Sequence, residues 1–240
     1  MSVNIPGMTG GLRSPELCVP AVSRQPALIL RPWRAADVRA LAAEMSRGYP
    51  AGGMWSWPDE RPARTGLPGG AQRRTGPGGE RDAARWLAGQ DRGWHDGGRL
   101  SFAVLKAGDA GGCALAGHVA LKNRDETGRI GERETAEIGY WTAVAARGRG
   151  IAPAAVRAVT EWVFGAFAGA GLRRIMLVHD AGNPASCRVA EKAGYPLREL
   201  SPANPPHWFT DGHIHIRLAP DPGPRSDDAG PRGDPTGDAQ

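Results

Sequence analysis

A glycine-rich turn between a strand and a long helix constrains this chain more than any other stretch. Residues 147–152 read Arg-Gly-Arg-Gly-Ile-Ala. Ala136 to Trp141 precedes them with strand character. Ile151, Ala155, Val159, Trp162, Val163 and Phe167 follow at helical period, which predicts an amphipathic helix against a sheet. Pro153 falls in the first helical turn, where its missing N–H costs nothing. A turn of this kind builds an anion site. Its backbone N–H groups converge, the helix start adds partial positive charge, and glycine lets a phosphate approach closely. Arg147 and Arg149 add full charges. The expected ligand is a pyrophosphate on a nucleotide-like cofactor.

Spacing narrows the cofactor. A P-loop ends in Gly-Lys-Ser/Thr, which is absent. A dinucleotide fingerprint, Gly-x-Gly-x-x-Gly/Ala, would put Pro153 at its last place and lacks the acidic residue about 20 positions on. The pattern that fits is Arg/Gln-x-x-Gly-x-Gly/Ala, met by Arg147, Gly150 and Ala152. On these residues, and on Glu-Ile-Gly-Tyr-Trp before them, the chain resembles the GCN5-related N-acetyltransferase (GNAT) superfamily. It looks most like the branch of ribosomal-protein N-terminal acetyltransferases.

The remaining elements follow in order. Ala27–Arg31 reads as a strand, Ala36–Met45 and Arg81–Gln90 as helices, and Leu100–Leu105 and Ala114–Leu121 as strands around a Gly108–Gly112 turn. Arg174–Val178 is a buried strand. Asn183–Ala193 is a short helix with Asn183 as cap and Gly194 after its end. Leu197–Leu200 and His213–Leu218 close the sheet. The order β-α-α-β-β-β-α-β-α-β-β is that of a mixed α/β acyl-CoA N-acyltransferase fold, as the resemblance implies, over residues 25–219. Residues 1–24 read as a mobile arm, about 58–79 as a flexible Gly/Pro/Arg insertion, and 220–240 as a disordered tail. At 240 residues, 40% of them hydrophobic, one domain with loose ends is expected.

The resemblance implies roles. Arg147, Gly148, Arg149, Gly150, Ile151 and Ala152 would hold the pyrophosphate of acetyl-CoA. The backbone of Trp141, Thr142 and Ala143 would pair with the pantetheine arm and supply an oxyanion donor; core packing is the plain role for the Trp141 side chain. Asn183 would bond the same arm while capping its helix. Many family members carry a tyrosine acid where this chain has Ala190. The N-terminal-acetyltransferase branch uses a serine in the first turn of that helix, and Ser186 matches it. Tyr195 reads as core. Glu137 is the candidate general base, against a plain ion pair with an arginine. Trp55, Trp57, His207 and Trp208 would shape the acceptor pocket, or serve as scattered structural aromatics.

Composition bounds the rest. The net charge of +5 suits an anionic cofactor. The basic stretch Arg61–Arg81 lacks the interleaved aromatics that stack nucleic-acid bases, which argues against that partner. Cys18, Cys113 and Cys187 are odd in number and form no Cys-x-x-Cys, so neither a disulfide framework nor a zinc site is expected. His213 and His215 share a strand face but show no third ligand, and Cys187 reads as a small buried residue pointing elsewhere. There is no signal peptide and no membrane span, so a cytoplasmic enzyme is expected, monomer or homodimer. The acceptor reading is a protein or peptide α-amine. The alternatives are a small amine (amino acid, polyamine or aminoglycoside) and a non-catalytic CoA-binding module.

Overall fold

The computed structural model describes residues 2–3, 12–13, 15–47, 79–108, 112–123, 128–203 and 210–220. A two-stranded ribbon joins β1 (Ser2–Val3) to β2 (Leu12–Arg13). The main sheet has eight strands: β3 (Leu17–Val19), β4 (Leu28–Pro32), β5 (Arg99–Ala107), β6 (Cys113–Asn123), β7 (Thr135–Thr142), β8 (Arg174–Asp180), β9 (Leu197–Ser201) and β10 (Gly212–Leu218). Their spatial order is β3-β4-β5-β6-β7-β8-β10-β9. Every neighbouring pair is antiparallel except β7 and β8. Among the described residues four α-helices cover it: α1 (Val38–Ser46), α2 (Gly79–Asp96), α3 (Ile151–Ala166) and α4 (Pro184–Lys192). No helix among the described residues is long and apolar enough to cross a membrane.

Side-chain alternation sorts the two faces. Phe102, Val119 and Tyr140 lie opposite one another across β5, β6 and β7, and α3 packs on that face through Ile151, Ala155, Val159 and Val163. Ser101, His118 and Trp141 point the other way, toward α2. There the Trp94 indole donates to the Ser101 carbonyl at 2.7 Å, and the Ser101 hydroxyl donates to Gln90 Oε1 at 2.5 Å. These two contacts explain why α2 runs to Asp96, well past the expected Gln90: partners on β5 hold a segment whose own glycines disfavour helix. Trp33, Trp86, His118 and Trp141 complete an aromatic cluster under that face.

The arm expected over residues 1–24 is partly built into the sheet. Leu17 to Val19 pair with Leu30 to Leu28, and Leu17 and Val19 pack against the core. A three-residue strand is too short to show period-2 alternation, which is why the sequence did not signal it.

One ion pair fixes the entry to α1. The Arg31 guanidinium donates to both oxygens of Asp37 at 2.8 Å, and the Arg34 N–H donates to Asp37 Oδ2 at 2.8 Å. Burial pushes the Asp37 carboxyl up, but the Arg31 and Arg34 donors outweigh it and hold the group below the ordinary carboxylate range. Asp37→Asn should therefore destabilise by about 2 kcal/mol, near 4–8 °C in Tm for a domain of this size. The sign fixes the pH window. A depressed folded-state value stabilises above the unfolded value and loses that effect as pH falls through the folded one. The wild-type advantage over Asp37→Asn should be full at neutral pH and shrink below about pH 4. An equal gap in melting temperature at pH 7 and pH 2.5 would contradict it.

Candidate functional site

The sheet opens at one place. β7 and β8 run parallel and pair only at Thr135 with Arg174, Ala136 with Ile175 and Glu137 with Met176. Beyond Glu137 they part, and β7 continues beside β6 alone as far as Thr142. Among the described residues no strand lies against the β8-side edge of β7 from Ile138 to Thr142. A gap of this shape accepts an extended, amide-bearing chain along the exposed edge.

One arm of the gap ends in the glycine turn. Gly148 and Gly150 sit at φ +74° and +72°, in the left-handed region that glycine occupies without strain. Gly150 is the N-cap of α3, and residues 147–150 are all exposed. The N–H groups of Ile151 and Ala152 belong to a first helical turn and have no carbonyl partner within the helix. Ile151 is buried beneath the turn and anchors it. The Arg147 Nε donates to the Thr142 carbonyl at 3.3 Å and folds over the end of β7. Ala143 donates to the Ala116 carbonyl at 2.9 Å, which ties this end of the gap to β6. A narrow crevice between β7 and α3 is lined by Tyr140, Thr142, Ile151 and Ala152. Thr142, Ile151 and Ala152, from the two sets expected to hold a pantetheine arm and a pyrophosphate, thus border one crevice.

The other arm ends in α4. Asn183 caps it, its Oδ1 accepting from the Ser186 N–H at 3.2 Å, with Pro184 in the first turn. Tyr140 reaches across the gap and donates its hydroxyl to Ser186 Oγ at 3.1 Å. Burial pushes the Tyr140 phenol up, so it stays protonated and keeps donating; the Ser186 contact only partly offsets this. The Ser186 proton is left to donate onward into the gap. Tyr140 is a site residue that motif reasoning missed, because it appeared there only inside a longer string. Ala190 is fully buried in the core. Tyr195 is fully buried too, with its hydroxyl 2.5 Å from Thr160 Oγ1, and burial pushes its pKa upward. It is a core residue, as the sequence suggested.

Glu137 is buried at the branch point, directly opposite Lys122 on β6, itself 4% exposed. Glu137 and Tyr140 are three positions apart on the strand, so they face opposite sides of β7. Glu137 and Ser186 therefore flank the gap from opposite faces and do not meet. The Trp141 side chain belongs to the aromatic cluster, with its ring 6.1 Å from His118 and 6.4 Å from Trp33. His118 accepts from the Trp33 indole at 3.0 Å, and burial holds it down to about 3, so it stays neutral near pH 7. Trp55, Trp57, His207 and Trp208 lie outside the described residues, as does most of the expected insertion.

A second cluster corrects the reading of His213 and His215. β8 extends two residues beyond the expected Val178, which puts His179 directly opposite His213. Cys187, expected to point elsewhere, turns toward them from α4. Its Sγ lies 3.1 Å from His213 Nδ1 and 3.5 Å from His179 Nε2. His179 Nε2 and His215 Nε2 are 3.2 Å apart. One donor atom from each of the four residues lies within 4.8 Å of all the others.

Comparison with known proteins agrees with this architecture. Residues 27–196 match the family model described as an acetyltransferase (GNAT) domain. Similar solved structures include the ribosomal-protein-S5-alanine acetyltransferase of Vibrio fischeri. It is 16% identical, with 87% of this chain and 100% of that chain covered and a TM-score of 0.61. Mycobacterium smegmatis RimJ, solved with CoA-disulfide, is 21% identical, covering 86% and 87%, with a TM-score of 0.58. An aminoglycoside acetyltransferase solved with coenzyme A and kanamycin is 16% identical, covering 80% and 94%, with a TM-score of 0.53. No curated protein sequence matches.

Proposed function

The chain belongs to the GNAT acetyltransferase family, and from that premise we propose that it moves the acetyl group of acetyl-CoA to the α-amine of a protein or peptide, by direct attack in a ternary complex. The observation that carries this reading is the parting of β7 and β8, with the glycine turn on one arm and Ser186 on the other. The turn, with Arg147 and Arg149, binds the pyrophosphate. The free edge of β7 pairs with the pantetheine amides and offers an N–H to the carbonyl oxygen as it gains charge. Asn183 holds the pantetheine from the far arm.

The acceptor enters from the Glu137 face. Its neutral amine attacks the thioester carbon, and the proton it releases passes to Glu137 directly or through water. Collapse of the tetrahedral adduct breaks the C–S bond. Ser186 gives its proton to the departing thiolate and regains one from solvent, while Tyr140 keeps its own proton and holds the serine oxygen by its hydrogen bond. Positioning at this slot supplies much of the acceleration. The α-amine acceptor is supported by Ser186 standing in for the absent tyrosine and by the likeness to acetyltransferases whose names specify ribosomal proteins. The three free cysteines suit a reducing, cytoplasmic setting.

Thiol release from acetyl-CoA, screened over peptides with free N-termini and over small amines including kanamycin and spermidine, tests the acceptor. Peptides should turn over; turnover of kanamycin or spermidine alone would reject the α-amine reading. The base role has its own test. Glu137→Gln should flatten the acid limb of kcat/KM against pH while leaving acetyl-CoA affinity in place. An unchanged profile would assign the proton to solvent.

A further inference from the structure

We propose that His179, Cys187, His213 and His215 form a four-ligand structural site for Zn²⁺, which fastens the start of α4 to β8 and β10. The site adjoins the acetyl-transfer machinery, since Cys187 follows Ser186 in α4, but it uses none of the side chains assigned there and does not depend on the acceptor.

The hydrogen-bond pattern around the rings is the main argument. His215 Nδ1 lies 2.9 Å from the Tyr195 carbonyl, and His179 Nδ1 lies 2.8 Å from the Asp180 carbonyl. A carbonyl only accepts, so each Nδ1 carries the ring proton. In that tautomer each ring presents a bare lone pair at Nε2. These two lone pairs face each other at 3.2 Å, inside the protein, with His179 and His215 only 7% and 0% exposed. Two acceptors at that distance repel unless a cation lies between them. An N–H donated to a backbone carbonyl is also how metal-binding histidines are usually oriented.

The other two donors complete the set. Tetrahedral zinc with Zn–N near 2.0–2.1 Å and Zn–S near 2.3 Å separates its ligand atoms by about 3.3–3.6 Å. The three contacts here, at 3.1, 3.2 and 3.5 Å, lie close to that edge length. All the donor atoms stay within 4.8 Å, so only the widest pair must draw inward. One thiolate with three imidazoles suits zinc; magnesium and calcium would need oxygen donors. Binding forms the Zn–S bond and releases the Cys187 thiol proton to solvent. Four protein ligands leave no open position, so the site is closed and structural. The ligands come from three elements. Partly exposed Cys187 and His213 give the ion its path in.

The test uses untagged full-length protein, stripped with chelator and titrated with Co²⁺ and then Zn²⁺. One equivalent should bind. Co²⁺ should show the intense visible bands of a tetrahedral site and a near-ultraviolet thiolate band, both displaced by Zn²⁺. Cys187→Ser should lose the thiolate band. It and His213→Asn, at partly exposed positions that spare the core, should each weaken Zn²⁺ binding at least about 100-fold. Zinc should also protect Cys187 from iodoacetamide, read by mass spectrometry on its peptide, while exposed Cys18 and Cys113 still react. The proposal fails if stripped wild-type binds no stoichiometric metal. It fails equally if both variants match wild-type affinity, or if Cys187 alkylates equally with and without zinc; a proton shared between His179 and His215 would then account for the cluster.

Discussion

Ser186→Ala is expected to lower kcat for acetyl transfer by roughly 10²–10⁴-fold, the usual cost of losing a general acid. Acetyl-CoA affinity should stay within a few-fold. The split follows from which atoms Ser186 uses. Its N–H is held by Asn183 Oδ1, a backbone contact that alanine preserves, so the cap of α4 survives. Only the hydroxyl is lost, and with it the acceptor for Tyr140 at 3.1 Å. Tyr140→Phe should give a smaller kcat loss, because Ser186 keeps its own proton to donate. Steady-state kinetics with a peptide acceptor, beside calorimetry with acetyl-CoA, separates the two effects. A full kcat in Ser186→Ala would remove the serine from the chemistry and leave thiolate departure to the helix start and solvent.

Gly150→Val should raise the acetyl-CoA Kd at least about 100-fold, while Gly150→Ala raises it about 10-fold. A left-handed backbone costs a non-glycine residue about 1–2 kcal/mol, and a β-branched one more, so the turn relaxes out of shape. A factor of ten corresponds to about 1.4 kcal/mol, which sets the alanine value. Valine adds bulk where a phosphate must approach. A Cβ at this position would meet the Gln25 side chain only at ordinary contact distance, 3.6 Å. The body of the protein is therefore not disturbed, and the Tm should fall by only a few degrees. Unchanged affinity in the valine variant would mean that the phosphates bind elsewhere.

The turn and α3 were legible because three signals agreed there: strand composition, paired glycines and a clean helical period. Asn183, Pro184 and Gly194 likewise marked both ends of α4 through chemistry that acts within a few residues. What stayed hidden depended on distant partners. The last turns of α2 exist because Gln90 and Trp94 find Ser101 on another strand. His179 lay one residue past the expected end of its strand. Pairing with β10 carries β8 on to Asp180, and that extension brings His179 to His213. Tyr140 stood in the sequence only inside the string Glu-Ile-Gly-Tyr-Trp, with no role attached; its contact with Ser186 appears only when α4 is laid across the gap. The hydrophobic pattern fixed which face of each element is buried, and side chains meeting across the parted strands could not be read from any single element.

Among the described residues, three rungs between β7 and β8 are the only strand pairing that joins the two halves of the sheet. On one side lie β3 to β7, and on the other β8, β10 and β9. Beside these rungs the halves meet at contacts such as Arg173 N–H to the Glu134 carbonyl, Tyr140 against Ser186, and Thr160 on α3 against Tyr195. The molecule is thus two leaves on a short spine, and its slot is the space where the leaves fail to close. A ligand lying in that slot grips both leaves at once. Occupancy and cohesion then become a single equilibrium, in which every tenfold rise of ligand above Kd adds about 1.4 kcal/mol of resistance to unfolding.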